Sequence, residues 1–187
     1  MKQYFTIEEL CHSDTADTYH IINIPDEEDL KNLNRLIDFL NPLRECWGSA
    51  IIINSGFRCE FLNGFVGGVN NSSHLTGNAV DMVPANGEFD KFVEFLKDYL
   101  KDKRFDQCIV ESTKYSKWIH FALYKNDGQQ RCRIFELKKE DCEHNPLFIL
   151  NFKFYRIYFK VHPIYVRLMR SLNLHNQLHL DFFALRS

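Results

Sequence analysis

The sequence predicts an α+β domain in which a mostly antiparallel sheet is flanked by helices. Two segments place apolar residues at helical spacing, and several short runs are rich in β-branched and aromatic residues. The last of these runs follow one another without an intervening helix, which is typical of antiparallel sheets. A chain of 187 residues with 45% hydrophobic and 26% charged content is large enough to bury its own core.

Two amphipathic helices are predicted. The first begins after Asp26, a good N-cap, and its acidic first turn suits the helix dipole. Its apolar residues recur at helical spacing, at Leu30, Leu33, Ile37 and Leu40. Pro42 is expected to end or kink this helix, and Gly48 to close the region. The second helix is predicted in "EFDKFVEFLKDYL", whereas the N-terminal "FTIEELCHSDTADTYHIINIPDEED" is expected to be loop-rich with one helical turn.

Five runs predict strands. "SAIIINSGFRC" has a β-branched centre, and "NAVDMVP" follows "NGFVGGVNNSS", which is expected to be loop or turn. "FDQCIVES" and "KWIHFALY" are separated only by "TKYS", which predicts a hairpin. "RCRIFEL" is predicted to be an edge strand and the last element of this domain.

Composition favours a reduced protein without a membrane span. The six cysteines are scattered and form no Cys-x-x-Cys pair, so they are predicted to be free thiols. "MKQYFTIEELCHSD" lacks the apolar centre of a secretory signal, and no run reaches the roughly 18 to 20 apolar residues of a membrane span. We therefore expect cytoplasmic synthesis without a signal peptide and no transmembrane segment. The net charge of −2 predicts no particular partner.

Two segments carry candidate metal ligands. His74 and Asp81 lie seven residues apart around Gly77, where the chain can fold back. Because alternate strand residues share a face, Asp81 and His120 can each point away from their apolar neighbours into a cleft. Zinc accepts nitrogen and carboxylate ligands, and a catalytic zinc keeps one open position. Spacing alone leaves an equally good alternative, in which the strand histidine is a packed, hydrogen-bonded residue.

A family resemblance strengthens the metal hypothesis. Five residues of the segment "SSHLTGNAVD" match a sequence motif of a known protein family, namely Ser72, His74, Gly77, Ala79 and Asp81. This segment resembles the zinc D-Ala-D-Ala carboxypeptidase family, which includes phage endolysins and vancomycin-resistance dipeptidases. "INSGFRCEFLNGFVGGVNNSSH", "FDQCIVE" and "WIHFAL" resemble further parts of the family, in family order. The resemblance extends over about residues 4–138.

The resemblance implies a hedgehog/D,D-peptidase-like fold with a zinc cleft. His74, Asp81 and His120 would bind Zn²⁺, and the expected activity is hydrolysis of peptidoglycan stem peptides. The enzyme would be a D-Ala-D-Ala carboxypeptidase or an L-Ala-D-Glu-type endopeptidase that acts on the cell wall after lysis or phage-assisted release. The alternative is a non-catalytic, zinc-containing module that binds cell wall or a partner. A monomer is expected, and nucleic acid is not an expected partner because the domain is acidic.

The general base cannot be read from the family pattern. Many relatives have a carboxylate three residues before the last zinc histidine, but this chain has Lys117 there. Glu111 is the candidate base. If Glu111 pairs with Trp118 in the hairpin, it lies diagonal to His120 on the same face. The alternative is that Glu111 is a solvated carboxylate at the end of the hairpin.

Four residues are candidates for substrate binding. Arg58 could hold a substrate carboxylate with its guanidinium fork, as the family uses an arginine in this region, or form a surface ion pair. Ser72 could bind substrate, orient a ligand or cap the turn. Gln107 could hydrogen-bond to a metal ligand and orient it, and Trp118 is expected to line the cleft.

Composition divides the chain near residue 141. Residues 1–140 are predicted to form the zinc D,D-peptidase-like domain, and residues 141–187 a basic, aromatic C-terminal tail. The tail could be an accessory helix, or it could contact a membrane surface, cell wall or nucleic acid. It could also be a read-through or frameshifted end without a selected role. We favour the last interpretation because the composition changes abruptly.

Overall fold

Within residues 2–139, which the computed structural model describes, five helices and a 3₁₀ turn flank one five-stranded sheet. The predictions for residues 141–187 lie outside these described residues. The helices are α1 (Ile7–Cys11), α2 (Asp14–Tyr19), α3 (Glu27–Trp47), α4 (Glu60–Phe65) and α5 (Phe89–Tyr99), and the 3₁₀ turn is Ser73–Thr76. The strands are β1 (Ile51–Ser55), β2 (Ala79–Pro84), β3 (Gln107–Ser112), β4 (Lys117–Ala122) and β5 (Arg133–Lys138).

The sheet has the order β1-β2-β4-β3-β5. The pairs β1–β2, β2–β4 and β3–β4 are antiparallel, whereas the edge strand β5 runs parallel to β3. The predicted α+β class, the flanking helices and the mostly antiparallel sheet are therefore confirmed. The hairpin has the predicted register, with Glu111 opposite Trp118 and Ile109 opposite His120. None of the helices in the described part of the chain combines the length and the apolarity that crossing a membrane requires.

Helix α3 begins as predicted but continues past its proline. The Asp26 side chain accepts hydrogen bonds from the first turn, and Gly48 closes the helix in the left-handed conformation. Of the two outcomes expected at Pro42, an end or a kink, the first is wrong, since α3 continues to Trp47. Leu43 is fully buried, and the side chain of Asn41 accepts hydrogen bonds from the backbone of residues 4 and 5. This tertiary packing offsets the hydrogen bond that the proline ring cannot donate.

The N-terminal region contains more helix than its sequence predicts. It has two short helices instead of one turn, and Thr6 and Ser13 cap them with side-chain oxygens. Helix α4 likewise extends into the start of the predicted Gly/Asn-rich loop. These helices are too short for apolar periodicity to reveal them, so their caps are the better signal.

The two faces of the sheet differ in chemistry. One face belongs to the core, where the Phe121 ring of β4 stacks on the Phe39 ring of α3, with centroids 5.0 Å apart. Val80 and Met82 of β2 are fully buried in the same core. Because side chains alternate along a strand, Asp81 and the polar residues paired with it point to the opposite face. That face carries the candidate site.

Candidate metal centre

Three side chains meet on this face of the sheet. Asp81 of β2 and His120 of β4 are directly paired, and His74 comes from the 3₁₀ turn before β2. The Nε2 atom of His74 lies 3.2 Å from Asp81 Oδ1 and 3.2 Å from His120 Nδ1. His120 Nδ1 lies 2.9 Å from the same oxygen, Asp81 Oδ1. Two imidazole nitrogens and one carboxylate oxygen therefore form a small triangle.

The triangle has the dimensions that a zinc ion requires. Ligands about 2.0 to 2.1 Å from a tetrahedral ion are separated from one another by about 3.3 Å. The observed separations of 2.9 to 3.2 Å are close to this value. Two histidines and one carboxylate are also the donor set of several catalytic zinc sites. The residues present therefore fit Zn²⁺, with the fourth position left for water or substrate.

Hydrogen bonding and burial prepare His74 to be a ligand. Its Nδ1 atom lies 2.6 Å from the carbonyl oxygen of Gly56, so Nδ1–H donates to that carbonyl and the Nε2 lone pair faces Asp81. Burial lowers the pKa of His74, against the opposing effect of the Asp81 carboxylate. The imidazole is thereby kept neutral, which is the form that binds a metal.

Gly56 and Gly77 allow close backbone approaches around His74. A Cβ atom on Gly56 would lie 2.1 Å from the carbonyl oxygen of Leu10, so only glycine fits there. Gly77 ends the 3₁₀ turn in the left-handed conformation, with φ of 65°. The chain can therefore turn between His74 and Asp81.

Asp81 is held from two sides. Its Oδ1 atom faces the two histidines, and its Oδ2 atom accepts a hydrogen bond from Nη2 of Arg58. The Nε atom of Arg58 donates to Ser55 Oγ at 2.7 Å, which fixes the guanidinium. Burial alone would raise the pKa of Asp81, but its interactions with the His74 and His120 imidazoles outweigh burial and hold this pKa well below its usual range. The carboxylate is therefore ionised and oriented for a cation.

A family model described as Peptidase M15 matches residues 3–122, which is well over half of the chain. The chain belongs to the peptidase M15 family. The resemblance to the zinc D-Ala-D-Ala carboxypeptidases is thereby confirmed, and membership in this zinc-dependent family implies a metallopeptidase. A comparison with curated proteins finds no match.

Glu111 lies where the register of the hairpin led us to expect a base. It pairs with Trp118 and is diagonal to His120 on the same face of the sheet. The Glu111 residue is only 5% exposed, so it is not the solvated carboxylate of the alternative interpretation. Its Oε2 atom lies 2.6 Å from Nζ of Lys139. The role of Glu111 as general base stays a prediction.

Lys117 points away from the metal centre of this M15 protein. Lys117 and His120 are three residues apart on β4, so their side chains point to opposite faces of the sheet. The Nζ atom of Lys117 lies 3.9 Å from Oδ1 of Asp90 in helix α5. The Lys117 side chain is 60% exposed. It therefore belongs to the helix side of the sheet and does not disturb the site.

The four predicted substrate-binding residues lie in different surroundings. Arg58 is bonded to Asp81 and Ser55, so the structure places it behind a candidate metal ligand. The Ser72 hydroxyl accepts a hydrogen bond from the backbone N–H of His74 and caps the 3₁₀ turn. Half-buried Gln107 is on the face of β3 that carries Glu111. The ring of half-buried Trp118 lies beside Lys139. Substrate binding by these four residues stays a prediction.

Sequence reasoning missed two contributors to the centre of this M15 protein. The carbonyl oxygen of Gly56 fixes His74, and the "SGFR" segment was the only signal for it. Lys139 contacts Glu111 from a strand at the far edge of the sheet. No local pattern links positions 111 and 139, because their proximity depends on the strand order.

Proposed function

We propose that this protein is a zinc-dependent peptidase that hydrolyses peptidoglycan stem peptides. The observation that supports this most directly is the triangle of His74 Nε2, Asp81 Oδ1 and His120 Nδ1, whose dimensions fit a zinc ion. Family membership supplies the reaction class, and the resemblance to wall-cleaving relatives supplies the substrate class.

The chain's own residues divide the chemistry between them. His74, Asp81 and His120 would hold Zn²⁺, which would supply Lewis-acid polarisation of the scissile carbonyl and a lowered pKa of a bound water. Glu111, on the same face as His120, accepts the proton of the attacking water and returns it to the leaving amine. Arg58 holds Asp81 so that Oδ1 stays directed at the histidines. Each of these groups is buried or half-buried, which strengthens their electrostatic interactions.

The surroundings of Arg58 favour the endopeptidase over the carboxypeptidase. A carboxypeptidase must bind the terminal carboxylate of its substrate, and the sequence offered Arg58 for that role. Two of its five N–H donors already bond to Asp81 and Ser55, so Arg58 is engaged in holding Asp81 and only its remaining N–H groups could meet a substrate carboxylate. Apart from Arg58 itself, the groove around it is lined by neutral side chains that suit an internal peptide, those of Ser13, Thr15, Asn54, Ser55, Leu62 and Val66.

A binding module without catalysis is the second candidate. It is favoured by Lys117, which replaces the carboxylate of many relatives, and by the ion pair that engages Glu111. In that case zinc would stabilise the fold, and the groove would only recognise wall peptides. The two candidates differ in one measurable respect, which is turnover.

The test is zinc-dependent release of products from purified peptidoglycan. The full chain is incubated with lysine-type and diaminopimelate-type walls, with added zinc or with a chelator. New amino groups and free D-Ala are quantified, and mass spectrometry of the muropeptides identifies the bond cut. We expect chelator-sensitive cleavage of an internal bond without release of D-Ala. Binding without release from either wall type would instead support the non-catalytic module.

A pair of variants tests the metal assignment directly. His120→Ala should lose both zinc retention and wall cleavage, because it removes one corner of the triangle. His12→Ala is the matched control, since His12 is an exposed histidine that contacts only Asp14 and Asp17 among the described ion pairs. Full zinc content and full activity in His120→Ala would overturn the assignment.

A further inference from the structure

The edge strand β5 lies outside the part of the chain that the family model matches. That match ends at residue 122, whereas β5 spans Arg133–Lys138. The segment before β5 is fixed by Arg131, whose Nε and Nη2 atoms lie 2.5 and 2.7 Å from the two carboxylate oxygens of Asp106. Asp106 is fully buried, and its carbonyl oxygen accepts from the N–H of Arg133 at 3.0 Å. The strand is therefore firmly attached to the sheet.

The parallel direction of β5 carries its C-terminal end to Glu111. Leu137 pairs with Glu111, and the N–H of Lys139 donates to the carbonyl oxygen of Ser112 at 2.7 Å. Lys139 has the same parity as Leu137, so it shares the face of Glu111. Its Nζ atom lies 2.6 Å from Glu111 Oε2 and 5.3 Å from the centroid of the Trp118 ring.

The ion pair is not an ordinary surface contact, because its two partners differ in exposure. The Glu111 side chain is 7% exposed, whereas the Lys139 side chain is 45% exposed. A buried carboxylate without a partner is strongly disfavoured, so Lys139 stabilises Glu111 in this position. The pair engages Oε2, and a base needs only one carboxylate oxygen to accept a proton.

We propose that Lys139 is a positioning residue that holds the Glu111 carboxylate in place for peptide hydrolysis. This inference rests on the proposed function, in which Glu111 is the general base. It goes beyond the matched family model, which ends at residue 122, because Lys139 directly follows β5. The peptidase would therefore depend on an edge strand that lies after the matched residues.

The first test compares Lys139→Met with Lys139→Arg in the zinc-loaded full chain. The substrate is a soluble disaccharide-pentapeptide muropeptide prepared from purified wall. We expect Lys139→Met to lower kcat by about 10- to 100-fold, because a misplaced base loses much of its contribution. KM and zinc content should change less than kcat, since the described contacts of this residue are with Glu111 and the edge of the cleft at Trp118, and with none of the candidate metal ligands.

Lys139→Arg should restore kcat to within about threefold of the natural enzyme, because it keeps the cation beside Glu111. Lys138→Met is the control, because this neighbouring lysine is exposed and its side chain points to the opposite face of the sheet from Glu111. A kcat for Lys139→Met equal to that of Lys138→Met would overturn the inference. So would a loss in Lys139→Met that Lys139→Arg does not reverse.

Glu111→Gln separates this inference from the function on which it rests. If Glu111→Gln keeps full activity, the proposed base is wrong and Lys139 has no base to position. If Glu111→Gln abolishes activity but Lys139→Met does not lower it, only the Lys139 inference fails. In the Glu111→Gln background, Lys139→Met should cause no further loss of kcat.

A stability measurement tests the pair without any activity. Urea unfolding of the zinc-free protein is compared for Glu111→Gln, Lys139→Met and the double variant. We expect the two changes to be non-additive, with the effect of Lys139→Met largely absent when Glu111 is already replaced. Additive shifts of the unfolding midpoint would show that the side chains do not interact and would overturn the inference. Lys139→Gln serves in both tests if Lys139→Met does not fold.

Discussion

Replacing Gly77 by alanine should disturb the turn that joins two of the three metal ligands. The residue has φ of 65°, a conformation that is unfavourable for alanine. A Cβ atom there would also lie 2.8 Å from the carbonyl oxygen of Asp29 and 2.9 Å from Cγ of Leu33. Both atoms belong to helix α3, and the carbonyl oxygen is backbone that cannot rotate away. Strain and overlap therefore act together at this position.

The expected cost can be built from these two effects. The left-handed conformation costs about 1 to 2 kcal/mol for a residue with a Cβ atom. Alanine also lowers the conformational entropy of the unfolded chain, which offsets about 0.4 to 1 kcal/mol of this cost. Overpacking against α3 adds about 1 to 3 kcal/mol. We expect Gly77→Ala to lower the free energy of unfolding by about 1 to 5 kcal/mol. Zinc affinity should fall as well, because His74 and Asp81 lie on either side of the displaced turn.

Gly48→Ala provides a matched control. Gly48 has φ of 76° at the end of α3, but no atom lies within 4 Å of a Cβ atom built there. This variant therefore has the conformational cost alone, about 1 kcal/mol, and should leave zinc affinity unchanged. Urea unfolding of the zinc-free proteins and zinc titration against a coloured chelator measure both quantities. Equal destabilisation by the two substitutions would refute the close contact between the Gly77 turn and α3.

Three further predictions follow from the site. The zinc-free protein should lose stability as pH falls below about 6.5, because burial lowers the pKa of His74 in the folded state and the unfolded chain therefore takes up that proton first; the lowered pKa of Asp81 adds a further loss only below about 4. A melting temperature that does not change between pH 7 and pH 5 would contradict this. Arg58→Lys keeps the positive charge but loses the planar fork, so zinc affinity should fall by about 10- to 100-fold through a poorly oriented Asp81, as a chelator titration would show. Lys117→Glu should not restore wall cleavage to Glu111→Gln, because position 117 faces helix α5; recovery of cleavage would show that this side chain reaches the metal centre.

The core of the site could be predicted because strand geometry is periodic. Alternation along β4 placed His120 on the polar face, and the short "TKYS" connection fixed the pairing of Glu111 with Trp118. Family resemblance joined His74 and Asp81 to that strand. These features depend on sequence neighbours and on one hairpin, so local rules were sufficient.

Contacts between distant strands could not be predicted in the same way. Nothing in "RCRIFEL" indicates that β5 is parallel to β3, because its direction depends on the Arg131–Asp106 pair and on the path of the preceding loop. The ion pair between Lys139 and Glu111 depends on that direction. The engagement of Arg58 by Asp81 was missed for a similar reason, since both groups are charged and only the fold determines which partner each one meets.

Strand parity also explains why the carboxylate missing at position 117 need not weaken the site. In a regular strand from Lys117 to Ala122, a residue three positions before His120 must face away from it. A carboxylate at position 117 would therefore point toward α5 in this fold, whatever its acidity. A base on the face of His120 must come from the same face of a neighbouring strand, and Glu111 satisfies that condition through its register with Trp118. With the proposed base on β3, the neighbouring edge strand β5 brings a cation to it directly, since Lys139 follows β5 and contacts Glu111.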